Sequence, residues 1–217
     1  MVRLSEMEGA IFDMDGTLLD SMAMWKNIGS SYVKMKGKIP APDLDEVIKT
    51  MSFAESACYI KTHYQFDEAI EIMMDEVNQM VKENYQGRIQ GKPFVKEFLE
   101  SLKNKGVPMC VATATDESLV RVCLKRLELL HYFQEIFTCR KVGAGKEQPD
   151  IYEAALERLG TQKEKTFVFE DVLHAVRTAK RAGFPVAALY DESSGRDWEE
   201  IKGLADVFAV TMGEFIS

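Results

Sequence analysis

Carboxylates, hydroxyls and a lysine stand at the ends of short apolar segments of this sequence. Carboxylates can act as nucleophiles, acids, bases or cation ligands, whereas hydroxyls and lysine can hold an anion. These groups occur in four polar segments: Asp13-Met14-Asp15-Gly16-Thr17, Thr113-Ala114-Thr115-Asp116, Gly145-Lys146 before Pro149-Asp150, and Glu170-Asp171. Ligands of open parallel sheets bind beyond the carboxyl ends of the strands, so we expect these groups to converge on one edge.

Each segment taken alone also has a structural explanation. An Asp-x-Asp-Gly segment can form a turn, because Asp binds its own backbone and Gly16 tolerates a positive φ. Asp150 and Glu153 form a predicted capping pair for the next helix. The four segments together, in this order, favour a catalytic site over four separate structural roles.

Two other motifs are excluded by single residues. A calcium loop that began in the first segment would need Gly and Glu at its sixth and twelfth positions, where the chain has Leu18 and Met24. A Walker phosphate loop that ended in the third segment would need Gly and then Ser or Thr, where the chain has Arg140 and Glu147.

The reactive segments are positioned by apolar runs that alternate with segments of helical spacing. The predicted strands are 9–14, 107–113, 136–138, 166–169, 186–189 and 207–210, and the predicted helices are 93–103, 117–129, 151–159 and 172–182. This alternation predicts an α/β fold with a Rossmann-like, doubly wound parallel sheet that is covered on both faces. Gly106, Gly160 and Gly183 follow helical segments, where a left-handed residue often ends a helix.

The interval from residue 20 to residue 87 breaks the alternation. It contains three predicted helices, at 22–35, 44–63 and 67–84, with no predicted strand between them. A helical block inserted after the first strand predicts a cap at 20–87 and a core of 1–19 and 88–217. The alternative is that these helices pack directly on the sheet.

Composition limits the classes of protein. Hydrophobic residues make up 46% of the 217 residues, and 35 acidic against 27 basic residues give a net charge of -8. No basic tract stands out, so nucleic acid is not expected as a partner. The chain begins without a segment of signal-peptide type and has no run of about 18 apolar residues, which predicts a cytoplasmic protein without a membrane partner. The four cysteines contain no Cys-x-x-Cys pair and are predicted to be reduced thiols.

The four segments resemble those of haloacid dehalogenase-like hydrolases with a helical cap, in the subgroup of β-phosphoglucomutase and many phosphatases. The matching motifs are the run Phe-Asp-Met-Asp-Gly-Thr-Leu-Leu-Asp-Ser at 12–21, Thr113, Gly145-Lys146-x-x-Pro149-Asp150, and Glu170-Asp171. They span most of the predicted core, and the resemblance is weaker in the cap. It implies a Mg²⁺-dependent phosphatase that acts, as a monomer, on small phosphomonoesters such as sugar phosphates.

The resemblance also implies a role for each acidic residue. Mg²⁺ is implied to bind the Asp13 carboxylate, the Asp15 backbone carbonyl and Asp171, with Glu170 as a ligand or as a neighbour of the ligands. Asp13 is the implied nucleophile and forms an aspartyl-phosphate. Asp15 is the implied acid for the leaving oxygen and then the base for water.

The other motif residues are implied to bind the transferred phosphate. Lys146 offsets the negative charge that carboxylate and phosphate bring together, and Thr113 holds phosphoryl oxygens with nearby backbone N–H groups. The Thr17 hydroxyl is expected to fix the turn after the first strand. The remaining implied contacts to the phosphate or the turn are Met14, Gly16 and Ala114.

Two cap positions bear on the reaction type. A β-phosphoglucomutase resembles this chain in the core but carries His ten residues after the second Asp and Arg in the cap, where this chain has Trp25 and Phe53. Both differences favour the phosphatase, with the mutase as the alternative. Trp25 and Phe53 are candidate substrate contacts, unless they only pack between cap helices. A third interpretation is a phosphate- or protein-binding module without catalysis.

Overall fold

A computed structural model of the chain describes residues 4–48, 51 and 53–216. The chain divides into two compact units: a core unit, with the residues up to Met22 and from Ile89 onward, and a helical unit, Ala23–Arg88. The predicted boundaries, at 20 and 87, lie within three residues of this division. That the helical unit acts as a cap stays a prediction.

The core unit is built on a parallel sheet. The strands in the described residues are β1 Gly9–Phe12, β2 Leu19–Asp20, β3 Gln90–Gly91, β4 Met109–Thr113, β5 Glu135–Thr138, β6 Thr166–Glu170, β7 Val186–Leu189 and β8 Val207–Ala209. Six of them form the sheet in the order β5-β4-β1-β6-β7-β8, and every pair is parallel. The predicted α/β fold is therefore confirmed. β2 and β3 form a separate antiparallel pair, which the sequence analysis missed because two residues show no periodicity.

Helices connect the strands and make up the helical unit. Those in the described residues are α1 Met22–Lys26, α2 Ile28–Met35, α3 Leu44–Ile48, α4 Phe53–Tyr64, α5 Ile70–Gly87, α6 Val95–Asn104, α7 Glu117–Arg126, α8 Cys139–Val142, α9 Asp150–Leu159, α10 Leu173–Arg181 and α11 Trp198–Leu204. None of the described helices combines the length and the apolar character needed to cross a bilayer.

The sheet is buried on both faces, as its apolar strands predict. Ile11 and Val168 pack on one face with residues of α9 and α10. Phe12 and Phe169 follow them in β1 and β6 and therefore point to the other face. Their rings stack with centroids 4.4 Å apart, and both contact Phe98 of α6. The continuous apolar runs thus reflect strands without a solvent-facing side.

Several predicted helix boundaries are wrong. The segment 22–35 is divided at Asn27, whose side-chain amide donates to the Ala23 carbonyl at 2.7 Å and competes with the helical backbone. The segment 44–63 contains two helices, α3 and α4, and its residues 49, 50 and 52 lie outside the described residues. α8 and α11 were not predicted, because segments of four and seven residues show little periodicity.

The glycines predicted to end three helices have the expected left-handed conformation, but the predicted cap at the start of α9 is absent. Positive φ angles occur at Gly106 (73°), Gly160 (66°) and Gly183 (90°). The predicted capping pair of Asp150 and Glu153 is wrong, because α9 begins at Asp150 itself, directly after Pro149. Glu153 instead forms an ion pair with Lys163.

The helical unit has its own core. The buried side chains of this cluster are Tyr32, Val33, Leu44, Ile48, Ile60, Phe66 and Met73. The Tyr32 hydroxyl at its border donates to Glu76 at 2.7 Å, and Lys36 pairs with Glu76 at 3.0 Å. The helical unit therefore has its own hydrophobic core, with a hydrogen bond and an ion pair at its edge, as expected of a separate structural unit.

Candidate active site at the carboxyl edge of the sheet

The register of the two central strands brings the acidic segments together. Phe12 of β1 pairs with Phe169 of β6, so the residues that follow them, Asp13 and Glu170, lie side by side at the carboxyl edge. Asp171 comes directly after β6. Thr113 is the last residue of β4, which lies on the other side of β1. The predicted convergence of strand ends is therefore present at the centre of the sheet.

Lys146 joins two of the carboxylates. It lies in the loop between α8 and α9, and its Nζ is 2.5 Å from Asp13 Oδ1 and 2.5 Å from Glu170 Oε1. Both carboxylates and the ammonium group are buried. One lysine thus faces two buried acids, and a third acid, Asp171, lies beside them.

The three carboxylates fit a divalent cation. One oxygen from each of Asp13, Glu170 and Asp171 lies within 4.8 Å of the others. Asp13 Oδ2, Glu170 Oε2 and Asp171 Oδ2 are buried and have no hydrogen-bond partner among the described residues. Unpaired carboxylate oxygens are costly to bury, and an all-oxygen set suits a hard cation such as Mg²⁺. The donor set therefore suits a hard divalent cation, and that this cation is Mg²⁺ stays a prediction.

Burial and mutual repulsion perturb the ionisation of this cluster. Burial raises the pKa of Asp13 from its ordinary 3.8 to about 7, against the opposing effect of Lys146 and with a further rise from Glu170. Burial and the charges of Asp13 and Glu170 hold the pKa of Asp171 well above its usual range. Burial alone would lower the pKa of Lys146, but the two acids outweigh it and keep the pKa well above 10.5. With all three carboxylates ionised, the cluster would carry more negative charge than one lysine can offset.

The turn after β1 packs directly against Asp171. Gly16 has a φ of 94°, and a Cβ at this position would lie 2.3 Å from Asp171 Oδ2. The Thr17 hydroxyl donates to Asp171 Oδ1 at 3.1 Å and so ties the turn to that carboxylate. The turn is closed by the Met14 carbonyl, which accepts the backbone N–H of Leu19 at 2.8 Å. Only Gly can bring this backbone so close to the carboxylate.

Asp15 accepts hydrogen bonds from two hydroxyls. Its Oδ1 accepts from Ser21 at 2.5 Å and its Oδ2 accepts from Thr115 at 2.6 Å. Thr113 Oγ1 accepts the backbone N–H of Thr115 at 3.1 Å, and Ala114 between them is exposed. The sequence analysis did not assign Ser21 or Thr115 to the site, although both stand in matched segments.

Tyr152 is a further site residue that sequence reasoning missed. Its hydroxyl donates to Glu170 Oε1 at 2.9 Å, and the whole side chain is buried on α9. Burial and the Glu170 charge raise the pKa of the phenol, which keeps it protonated as a donor. Its position in the apolar stripe of α9 predicts only a core residue, so no sequence signal pointed to this contact.

A second ion pair, between the partly buried Lys92 and the buried Asp191, lies just beyond the end of β7. Lys92 Nζ is 2.8 Å from Asp191 Oδ2 and donates to the Tyr190 carbonyl at 2.8 Å. Burial raises the pKa of Asp191, but hydrogen bonds from Lys92 and Ser193 outweigh it and leave the pKa below the usual value. The charge of Asp191 contributes to the raised pKa of Asp171.

Trp25 and Phe53 lie in the helical unit. The Trp25 indole Nε1 donates to the Tyr85 hydroxyl at 3.0 Å, and the two rings meet edge to face at 6.4 Å. Trp25 therefore packs between α1 and α5, the structural role that the sequence left open. Phe53 begins α4 and is 41% exposed. A contact of either side chain with substrate stays a prediction.

Comparison with known proteins places most of the chain in one family. Residues 10–189 match the family model described as haloacid dehalogenase-like hydrolase. A phosphorylated carbohydrates phosphatase of Thermotoga maritima is 32% identical over 177 residues, with 82% of each chain covered. A fructose-1-phosphate phosphatase of Escherichia coli is 26% identical over 81% of this chain and 92% of that protein. A solved Thermotoga maritima structure, named as a candidate β-phosphoglucomutase, superposes with a TM-score of 0.84 at 29% identity, covering 97% of both chains.

Proposed function

This chain belongs to the haloacid dehalogenase-like hydrolases and is a phosphoric monoester hydrolase, and we propose that it removes phosphate from small phosphorylated sugars through an aspartyl-phosphate on Asp13. The observation that carries this proposal is the buried cluster of Asp13, Lys146, Glu170 and Asp171 at the carboxyl edge of the sheet. The cluster supports Asp13 as the nucleophile, because a carboxylate can attack phosphorus where a lysine offsets the charge of the phosphate.

The cation that this cluster fits is proposed to be Mg²⁺. Asp13, Glu170 and Asp171 would hold it, together with the Asp15 backbone carbonyl, and the ion would offset the negative charge where carboxylate and phosphate meet. The proposal is supported by three carboxylate oxygens that are buried and have no hydrogen-bond partner among the described residues. Without a cation, their burial would cost folding free energy. Lys146 contributes a second positive charge from the protein itself.

The proposed reaction has two steps. An oxygen of Asp13 attacks phosphorus, the bond from phosphorus to the sugar oxygen breaks, and Asp15 gives a proton to that oxygen. Asp15 then takes a proton from water, whose oxygen attacks the phosphorus of the aspartyl-phosphate. The bond to Asp13 breaks, phosphate leaves, and both aspartates return to their starting states.

The hydroxyls around Asp15 support its assignment as the acid and base. Ser21 and Thr115 donate to its two oxygens and fix the orientation of the carboxyl group, which an acid and base that faces the leaving oxygen requires. Thr113 Oγ1 already accepts a backbone N–H, which leaves its hydroxyl hydrogen to donate to a phosphoryl oxygen. This donor and the N–H groups near Met14 and Ala114 are the proposed phosphate contacts.

The proposed substrate class follows from the relatives. Two of them are named for phosphorylated carbohydrates and for fructose 1-phosphate. A phosphosugar mutase is the second candidate, because the similar solved structure is named as a candidate β-phosphoglucomutase. Against it, Trp25 stands where the mutase has His, and its single N–H is committed to Tyr85. An indole cannot exchange protons with a sugar hydroxyl as an imidazole does.

A phosphate-release screen over phosphorylated metabolites, with Mg²⁺ and with a chelator, tests the proposal. We expect release from sugar phosphates with Mg²⁺ and none with the chelator. Product analysis with β-glucose 1-phosphate separates the candidates, since a phosphatase yields glucose and phosphate and a mutase yields glucose 6-phosphate. Near-normal release by Asp13→Asn would contradict the mechanism, and no release from any phosphomonoester, including an activated aryl phosphate, would favour the binding module.

A further inference from the structure

The two oxygens of Glu170 have different environments. Oε1 receives Lys146 Nζ at 2.5 Å and the Tyr152 hydroxyl at 2.9 Å. Oε2 is buried and has no hydrogen-bond partner among the described residues. Because Oε1 is occupied by two donors, Oε2 is the oxygen that Glu170 can offer to a cation.

The two donors to Oε1 are not equivalent. Lys146 is shared, because the same Nζ also binds Asp13 Oδ1 at 2.5 Å, so its position depends on the state of Asp13. Tyr152 has one hydroxyl hydrogen, and Glu170 receives it. Tyr152 can therefore hold Glu170 in place while Asp13 changes its charge or its covalent state.

The Tyr152 hydroxyl is itself rigidly placed. The residue is on the first turn of α9, its side chain is wholly buried, and its ring packs against Phe184 with centroids 6.1 Å apart. A phenol on a packed ring has little freedom to move, since both of its side-chain torsions are fixed by the surrounding core. Packing in the core thus fixes the position of the hydroxyl that binds Glu170 Oε1.

We propose that Tyr152 is a positioning residue whose hydroxyl orients the Glu170 carboxylate so that Oε2 faces the cation. This inference rests on the proposed Mg²⁺ site. Donors behind a metal-binding side chain fix its orientation, and their loss typically weakens metal binding or activity by about 10- to 100-fold. Removal of the hydroxyl leaves the apolar ring in place and frees the carboxylate to rotate.

Calorimetric titration of the metal-free protein with Mg²⁺ tests this role, because it measures binding without turnover. For Tyr152→Phe we expect the Kd for Mg²⁺ to rise by about tenfold. The Mg²⁺ concentration needed for half-maximal phosphate release should rise in parallel, with kcat at saturating Mg²⁺ close to the wild-type value. A role in stability alone would change neither measurement.

Tyr132→Phe is the matched control. Tyr132 is also a buried residue, and its hydroxyl donates to a carboxylate of the core unit, Glu100 Oε2, at 2.6 Å. It should lose the same kind of hydrogen bond and keep the wild-type Kd for Mg²⁺. An unchanged Kd in Tyr152→Phe, with a wild-type protein that binds Mg²⁺, would refute the inference and leave the proposed function standing. A wild-type protein that does not bind Mg²⁺ would refute both.

Discussion

Replacement of the proposed nucleophile should make the metal-free protein more stable as it abolishes activity. Asp13 is one of three buried carboxylates, and it shares Lys146 with Glu170. Asn has nearly the same shape as Asp without the charge. Burial, the largest effect, and the Glu170 charge make ionisation of Asp13 unfavourable, whereas Lys146 favours it. Asp13→Asn removes this unfavourable ionisation and keeps the side chain in its place.

The size of the effect follows from the pKa of Asp13. The pKa is raised in the folded protein from 3.8 to about 7, so ionisation opposes folding. The stability that the protonated form contributes is complete below about pH 4 and is lost as the pH rises towards about pH 7. One pKa unit corresponds to about 1.4 kcal/mol. The free energy of unfolding of Asp13→Asn should therefore exceed that of the wild type by about 2 kcal/mol at pH 5 and by about 4 kcal/mol at pH 8.

Urea denaturation of both proteins in EDTA at pH 5 and pH 8 measures this difference, and a phosphate-release assay with Mg²⁺ measures the accompanying loss of turnover. We expect that loss to exceed about 1,000-fold. Asp191→Asn is the control with the opposite sign, because the pKa of Asp191 is lowered in the folded protein. Its contribution is present above about pH 4 and is lost only as the pH falls further, so this variant should lose the same stability at pH 5 and pH 8. A variant Asp13→Asn that is no more stable than the wild type at pH 8 would refute the reasoning.

Three further predictions concern the same edge of the sheet. Mg²⁺ at 100 times its Kd should raise the Tm of the wild type by about 5–10 °C in a thermal-shift assay. Asp171→Asn, which replaces one of the three proposed carboxylate ligands, should show a much smaller rise, and equal shifts would contradict the cation site. Gly16→Ala should lower the urea midpoint and kcat more than Gly37→Ala does. Both glycines have a positive φ, but only at Gly16 would the added Cβ lie 2.3 Å from a carboxylate oxygen. Similar losses in the two variants would show that this close approach is unimportant. Asp15→Asn should lower kcat by about 10²- to 10⁴-fold and keep the wild-type thermal shift with Mg²⁺, and unchanged kcat would remove Asp15 from the reaction.

The sequence predicted the elements that carry the site better than the contacts within it. The residues at the ends of β1, β4 and β6 were identifiable because buried parallel strands are continuous apolar runs, and the reactive residues follow those runs directly. Short elements such as β2 and α8 were missed, because two to four residues show no period. The division of the helix predicted at 22–35 depends on one side-chain contact of Asn27, which helical spacing does not reveal.

Thr17 and Tyr152 show where prediction from sequence ended. Thr17 was expected to fix the turn after the first strand, but the sequence did not show that its hydrogen-bond partner is Asp171, 154 positions further along the chain. Tyr152 occupies an apolar position of α9, and only the packing of that helix on the sheet places its hydroxyl at Glu170. Contacts of this kind depend on the register and order of strands, which local patterns of burial do not encode.

By itself the sequence determined the α/β class and the set of polar groups available at the sheet edge, because residue type and local periodicity suffice for these. The family was recognised from the resemblance of the four motifs. The tertiary structure decided which of those groups meet. Strand register sets Asp13 beside Glu170, and the loop before α9 brings Lys146 to both. The reason is physical: burial makes these charges depend on neighbours within a few ångströms, and those neighbours are distant in the chain.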